Sequence, residues 1–111
     1  MITFTLSAIN CPINTAYWYA TWYVPGVNTS YSGWLKPTDK VIFSGVADTA
    51  DLYVTAYDGK YVVLADKGTW GKLTLKDGGE YLADFATRKV LEKVAPPVAA
   101  EYRNLKAVFN A

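Results

Sequence analysis

The side chains in this 111-residue chain that are best suited to recognising another molecule are aromatic, with nine Tyr and four Trp against four Phe. Tyr and Trp combine a flat apolar ring with a hydrogen-bonding group, and they favour half-wet positions and interfaces. Five of these rings fall within the nine residues AYWYATWYV at 16–24. Their chemistry is stacking and hydrogen bonding, so the sequence points to recognition before catalysis.

Residues that usually carry catalysis or hold metals are scarce. The chain has no His, which removes the usual general base, the Ser–His and Cys–His nucleophile pairs and most zinc sites. Cys11 is the single cysteine and has no cationic neighbour in sequence, so a reactive thiolate is not expected. Carboxylates such as Asp58 and Asp77 stand in turn sequences, where Asp bonds to its own backbone. We therefore predict a non-enzymatic protein without cofactor or metal.

The charge balance argues against two further classes. Eleven Lys and Arg against ten Asp and Glu leave a net charge of +1, and no basic block is present that could follow a phosphate backbone. No apolar run reaches the ~18 residues that a membrane helix needs. The start, MITFTLSAIN, lacks a basic n-region, so it is not a typical signal peptide: either export does not use that route or a leader was removed. We expect neither nucleic-acid binding nor a membrane span.

A period of two dominates the hydrophobic pattern and predicts strands. Residues 2–8 alternate apolar side chains with Thr and Ser, and residues 16–24 alternate between flanking prolines that disfavour a helix. One face of the second strand is predicted to enter the core, with Trp18, Ala20, Trp22 and Val24. The other face is predicted to point outward, with Tyr17, Tyr19 and Tyr23.

Short strands continue along the chain, and we predict them at 40–47, 51–57, 60–65, 70–75 and 80–86. The loop at 25–39 is rich in Gly, Ser, Asn and Pro. Asp58-Gly59 predicts a two-residue hairpin turn. Residues 87–94 either extend the preceding strand or form another. About seven or eight short strands in a single domain, 1–111, predict a sandwich or barrel.

The tail after Pro96-Pro97 fits two structures. The spacing of its larger side chains, Val98, Tyr102, Leu105 and Phe109, favours a short helix. The sequence LKAVF also suits a closing strand, and this alternative stays open.

The stretch LTLKDGGEYLA at 73–83 resembles the corner between strands E and F of immunoglobulin-like domains, where the pattern D-x-G-x-Y-x-C opens strand F. The matching positions here are Asp77, Gly79 and Tyr81, followed by Ala83. The likeness implies a tyrosine corner, in which the Tyr81 hydroxyl returns to nearby backbone. It also implies that the usual inter-sheet disulfide is absent, because Ala83 stands in place of Cys.

The segment 40–86 resembles bacterial immunoglobulin-like modules, with Asp58-Gly59 and Gly68-Thr69-Trp70 at matching positions. This resemblance implies an all-β, single Ig-like (Greek-key) β-sandwich, with the short C-terminal helix still open. Modules of that kind serve as spacers, adhesion units and parts of phage and surface assemblies. The fold alone assigns no activity.

Two functions fit the aromatic residues. In the first, a Tyr-rich sheet face packs against copies of the protein or other subunits of an extracellular surface or virion assembly, such as a filament, capsid decoration or tail. Its candidate residues are Tyr17, Tyr19, Tyr23, Tyr53 and Tyr57. In the second, a carbohydrate-binding or adhesion module stacks sugar rings on Tyr31, Trp34 and Trp70. A third interpretation is purely structural: the tyrosines shield the sheet or pack beneath the loop.

Overall fold

The computed structural model describes residues 1–27, 29–64, 69–94 and 101–104, with Val94 and the last four as backbone only. Over these ranges the chain forms nine β-strands and no helix. The strands are β1 (Ile2–Ile9), β2 (Tyr17–Tyr23), β3 (Ser30–Tyr31), β4 (Lys40–Val46), β5 (Thr49–Tyr57), β6 (Thr69–Thr74), β7 (Glu80–Asp84), β8 (Lys89–Val94) and β9 (Glu101–Asn104).

The strands form two sheets, so the predicted all-β sandwich is confirmed. The five-stranded sheet has the order β4-β1-β7-β8-β9, and the four-stranded sheet has the order β3-β2-β5-β6. β1 and β7 run parallel, whereas β1 and β4 are antiparallel. β1 and β2 lie in different sheets, although the first two strands of a constant-type immunoglobulin sandwich share one.

The core lies between the sheets and is centred on aromatic rings. Phe4 of β1 contacts Trp22 of the facing sheet, with ring centroids 5.1 Å apart, and also Phe43 at 5.2 Å and Tyr81 at 6.0 Å. The contacts with Trp22 and Tyr81 are edge-to-face, and such contacts add to the free energy of burying the rings. Phe4 therefore links the two sheets near the centre of the core.

The alternation predicted for the second strand is confirmed on its inner face. Trp18 and Ala20 are fully buried, and Trp22 is 1% exposed. Both indole N–H groups find acceptors: Trp18 donates to the Lys36 carbonyl and Trp22 to the Ala47 carbonyl, each at 2.8 Å. Val24 lies just beyond the strand and packs against the core. These tryptophans are structural.

The corner between β6 and β7 is held by the residues singled out in the sequence. The Tyr81 hydroxyl accepts a hydrogen bond from the Lys76 N–H at 2.8 Å. Asp77 Oδ1 accepts the Thr3 N–H at 2.9 Å, and the Gly79 carbonyl accepts the Thr5 N–H at 3.0 Å. The corner thus ties β1 to β7.

The predicted turn at Asp58-Gly59 has a different geometry. Tyr61 N–H donates to the Asp58 carbonyl at 3.0 Å, and Asp58 N–H donates to Val62 at 2.9 Å. The positive φ of 63° belongs to Tyr61. These bonds close a three-residue loop, and a loop of this kind ends in a left-handed residue. The prediction of a two-residue turn was therefore wrong. Of the strand predicted at 60–65, one bridge between Tyr57 and Val63 is present in the part that the structure describes.

The structure decides three other predictions about strands and loops. Residues 87–94 form a new strand, β8, rather than extending β7. The loop at 25–39 contains the short strand β3, which pairs with β2. Residues 101–104 form the strand β9, so the predicted helix was wrong there. β9 forms hydrogen bonds with the backbone N–H and C=O groups along the edge of β8, and a helix would leave those groups unpaired. Val98, Leu105 and Phe109 lie outside the described residues.

Candidate functional site: an aromatic patch on the four-stranded sheet

Three half-buried tyrosines form the base of the candidate site. Tyr17 and Tyr19 lie on the outer face of β2, and Tyr57 lies directly opposite Tyr17 on β5. Thr55, opposite Tyr19, faces the same way yet is only 8% exposed. Aromatic rings therefore cover the sheet at this place.

The loop after β3 brings Trp34 over these tyrosines. Leu35 and Trp18 exchange backbone hydrogen bonds of 2.7 and 2.9 Å, and the Ser32 N–H donates to the Ala20 carbonyl at 2.9 Å. The loop is thereby fastened along the edge of β2. The Trp34 ring lies 4.7 Å from Tyr57 and 5.2 Å from Tyr19, centroid to centroid.

The hairpin after β5 adds Tyr61. Asp58 Oδ1 accepts the N–H groups of Lys60 and Val62, at 2.8 and 3.0 Å, and fixes the loop. The Tyr61 ring stacks on Tyr17, with centroids 5.1 Å apart and planes within 4°, and meets Trp34 at 4.9 Å. A bulky residue with positive φ is strained, and such strain tends to occur at functional sites.

We define the aromatic patch as the six residues joined by these ring contacts: Tyr17, Tyr19, Tyr31, Trp34, Tyr57 and Tyr61. Tyr31 joins through Tyr19, at 6.2 Å between centroids. The exposed fractions are 62% for Tyr31, 53% for Tyr61 and 49% for Trp34. Three exposed rings therefore stand on three half-buried ones.

The patch is uncharged, and its nearest loop carboxylates are engaged. Asp39 Oδ2 accepts the Lys36 N–H at 2.9 Å, and Asp58 caps its own hairpin. The pKa of Tyr61 is raised by its hydrogen bond with Tyr17, by the charge repulsion of that neighbour and by burial. The Tyr61 phenol is therefore neutral at physiological pH, because the ordinary Tyr pKa is already about 10.

One indole N–H group of the aromatic patch differs from those of the buried tryptophans. Trp18 and Trp22 donate their indole N–H groups to backbone carbonyls. The Trp34 indole N–H has no acceptor among the described residues. A partner that supplies an acceptor, such as a peptide carbonyl or a hydroxyl, would complete it.

The structure merges the two sets of candidate residues. Tyr17, Tyr19 and Tyr57 from the interface set share the patch with Tyr31 and Trp34 from the sugar-binding set. The other interface candidates, Tyr23 and Tyr53, contact each other at 6.3 Å further along the same face.

Trp70 does not belong with the other sugar-binding candidates. It is 5% exposed and packs edge-on against Phe85 at 5.3 Å. Its predicted place on a ligand surface is wrong, because the inner face of β6 turns its ring into the core.

Sequence reasoning missed Tyr61. The alternation of 60–65 suggested an ordinary strand residue, whereas the left-handed backbone of the hairpin turns this ring towards Tyr17. A three-residue hairpin loop needs a residue with positive φ at its last position. In a loop that begins after Asp58 with Gly59-Lys60, this position is Tyr61, and that was the available signal in the sequence.

Searches against protein-family models, curated proteins and solved structures each returned no match. Within the described ranges, no group of three His, Cys, Asp or Glu side chains comes together as a metal site. The same ranges contain no helix long and apolar enough to cross a membrane.

Proposed function

We propose that this is a non-enzymatic structural or interaction protein that binds a protein partner, in the first place another copy of itself, through the aromatic patch. The proposed setting is an extracellular surface or virion assembly built from repeated subunits. The observation that carries the proposal is that three exposed rings, Tyr31, Trp34 and Tyr61, pack on half-buried tyrosines of the sheet. Such exposed aromatic surfaces are uncommon on monomers and tend to mark interaction sites.

The energetics of the patch suit a protein interface. Aromatic anchors with a polar atom supply large contact area at a small cost in side-chain entropy. The base rings already pack against one another, which reduces the ordering needed on binding. Val62, next to Tyr61 in sequence, is 56% exposed and adds an apolar side chain to the same hairpin.

The engaged carboxylates favour a protein over a sugar. Sugar sites combine a stacking ring with polar side chains that bind the ring hydroxyls. Asp39 and Asp58, the acidic groups in the two loops that carry exposed rings, already hold those loops together. A partner that offers apolar side chains and backbone carbonyls matches the patch better.

The test is the molar mass in solution, measured by light scattering over a wide concentration range. We expect wild-type protein to associate, and a patch variant with Tyr31→Ser, Trp34→Ser and Tyr61→Asn to remain a monomer. Asn is chosen at 61 because it tolerates a left-handed backbone. Ile42→Thr is the matched control, since Ile42 is 62% exposed on the other sheet. Association that the patch variant retains would refute the proposal.

Carbohydrate binding is a second candidate, supported by one observation. Tyr19 contacts both Tyr31 and Trp34, at 6.2 and 5.2 Å between ring centroids, so two exposed rings share one half-buried neighbour. Titration with a panel of polysaccharides should change the tryptophan fluorescence if sugars bind there, and Trp34→Phe should abolish the change. No change across the panel excludes this candidate.

A further inference from the structure

Tyr17 and Tyr61 are the one pair of rings in the aromatic patch that lie parallel. Their centroids are 5.1 Å apart and their planes differ by 4°. The other ring contacts of the patch have interplanar angles between 61° and 76°. Tyr17 also contacts Trp34, at 6.3 Å between ring centroids, and so does Tyr61, at 4.9 Å. The two phenol rings therefore lie face to face.

Two separate elements hold this pair in place. Tyr17 is the first residue of β2 and pairs with Tyr57. Tyr61 lies in the hairpin that Asp58 caps, and its φ of 63° aims its side chain at Tyr17. Tyr61 is 53% exposed, so its phenol is accessible to an oxidant from solvent. Two reactive groups fixed in contact react far faster than two that must meet by diffusion.

We propose that Tyr17 and Tyr61 form a site of oxidative cross-linking within one chain. A one-electron oxidant, such as a peroxidase acting with hydrogen peroxide, removes one electron and one proton from each phenol. The two phenoxyl radicals then form one carbon–carbon bond between the positions ortho to their hydroxyls. The hydrogens on those carbons return to the oxygens, which restores both aromatic rings. Overall, two tyrosines and one peroxide give one dityrosine and two waters.

The cross-link has a mechanical consequence. It would join the hairpin loop to the start of β2 and fix the rings of the patch in one arrangement. A covalent link between positions 17 and 61 also restricts the unfolded chain, as a disulfide does. We expect the melting temperature to rise by more than about 5 °C. This inference needs no binding partner, so it stands apart from the proposed function.

The experiment treats dilute wild-type protein with peroxidase and hydrogen peroxide. We expect a product that migrates as a monomer on a denaturing gel, has lost two hydrogens by intact mass and shows dityrosine fluorescence. Trypsin cleavage after Lys60 and Lys67 leaves Tyr61 as the single tyrosine of its peptide. That peptide should be recovered joined to the one containing Tyr17.

Variants locate the reaction. Tyr61→Phe and Tyr17→Phe keep the rings but remove a phenol, and each should abolish the intrachain product. Tyr23→Phe is the matched control and should retain it, because the Tyr23 and Tyr53 rings are 6.3 Å apart and inclined by 72°. The proposal is overturned if no dityrosine forms, if it forms only between chains, or if Tyr61→Phe leaves the yield unchanged.

Discussion

The geometry of the corner between β6 and β7 depends on the absence of a Cβ atom at Gly79. A Cβ at this position would lie 2.5 Å from Tyr81 Cε2 and 2.6 Å from its hydroxyl oxygen. The Tyr81 ring has no room to move away, because it is 2% exposed and its hydroxyl is bonded to Lys76. The glycine in the motif is therefore needed for the close approach of this ring.

Changing Gly79 to Ala should destabilise the protein by about 1–3 kcal/mol, the usual cost of overpacking. Urea unfolding followed by tryptophan fluorescence would measure the loss. Gly59→Ala is the control, because a Cβ there meets only Ala16 Cβ, at 4.0 Å, and should be neutral. Equal stability of the Gly79→Ala variant and wild type would contradict this account of the corner.

Asp84 is a buried carboxylate, 7% exposed, that organises the turn between β7 and β8. Its oxygens accept hydrogen bonds of 3.0 Å from the Asn10 side chain, the Ala86 N–H and the Thr87 hydroxyl. Burial alone would raise the pKa of Asp84, but these hydrogen bonds together outweigh it and lower the pKa.

The lowered pKa makes this contribution to stability depend on pH. Because the folded-state pKa lies below the unfolded one, the stabilisation is fully present above the ordinary Asp pKa of about 3.9 and is lost as pH falls through the folded-state value. Asp84→Asn should therefore cost about 1–3 kcal/mol at neutral pH. The difference from wild type should shrink in acid.

Urea unfolding at a series of pH values would measure this dependence, with Asp48→Asn as the control at an exposed position. A deficit of Asp84→Asn that persists unchanged below pH ~3 would show that the charge of Asp84 is not what stabilises the turn.

At the scale of elements, the hairpin after β5 positions one exposed ring of the patch. Removing its cap by Asp58→Ala frees the N–H groups of Lys60 and Val62. We expect a modest loss of overall stability, about 0.5–1.5 kcal/mol, with a larger local effect. Hydrogen exchange should quicken more at residues 60–64 than in β1, where exchange follows only the loss of overall stability.

Asp48→Ala is the matched control, since the exposed Asp48 side chain makes no hydrogen bond among the described residues. Unchanged exchange at 60–64 in Asp58→Ala would show that ring stacking, rather than the carboxylate, holds the hairpin.

Single elements were largely predictable, because alternation is a local signal. The pattern of β2 predicted both its buried tryptophans and its outward tyrosines, and the inner face is buried as expected. The positions of Trp34 and Tyr61 over that strand were not predictable. They depend on backbone bonds between Leu35 and Trp18 and on the φ of Tyr61, and neither leaves a periodic pattern.

The order of the strands in the two sheets could not be predicted from the sequence either, for a physical reason. The parallel pairing of β1 with β7 joins residues that are far apart in sequence, such as Leu6 and Tyr81. Burial patterns assign a residue to a face but do not choose the neighbour of a strand. The corner motif gave a partial signal through Asp77, which bonds to Thr3.

At the scale of the whole molecule, aromatic residues fill two places with different consequences. Inside, Phe4, Trp18 and Trp22 hold the sheets together. Outside, the aromatic patch covers one face of the four-stranded sheet and leaves three rings exposed. The outer face of the other sheet carries Thr3, Thr5 and Ser7 along β1 instead. This asymmetry is the reason for placing the partner on the four-stranded sheet.

Hydroxyl-radical footprinting of the protein in its dilute and associated states tests the central claim most directly. If copies pack through the aromatic patch, labelling of Tyr31, Trp34 and Tyr61 should fall several-fold on association, because contact excludes solvent from their rings. Labelling of Ile42 on the other sheet should stay constant. Equal labelling of the three rings in both states, or protection centred on Ile42, would contradict the account.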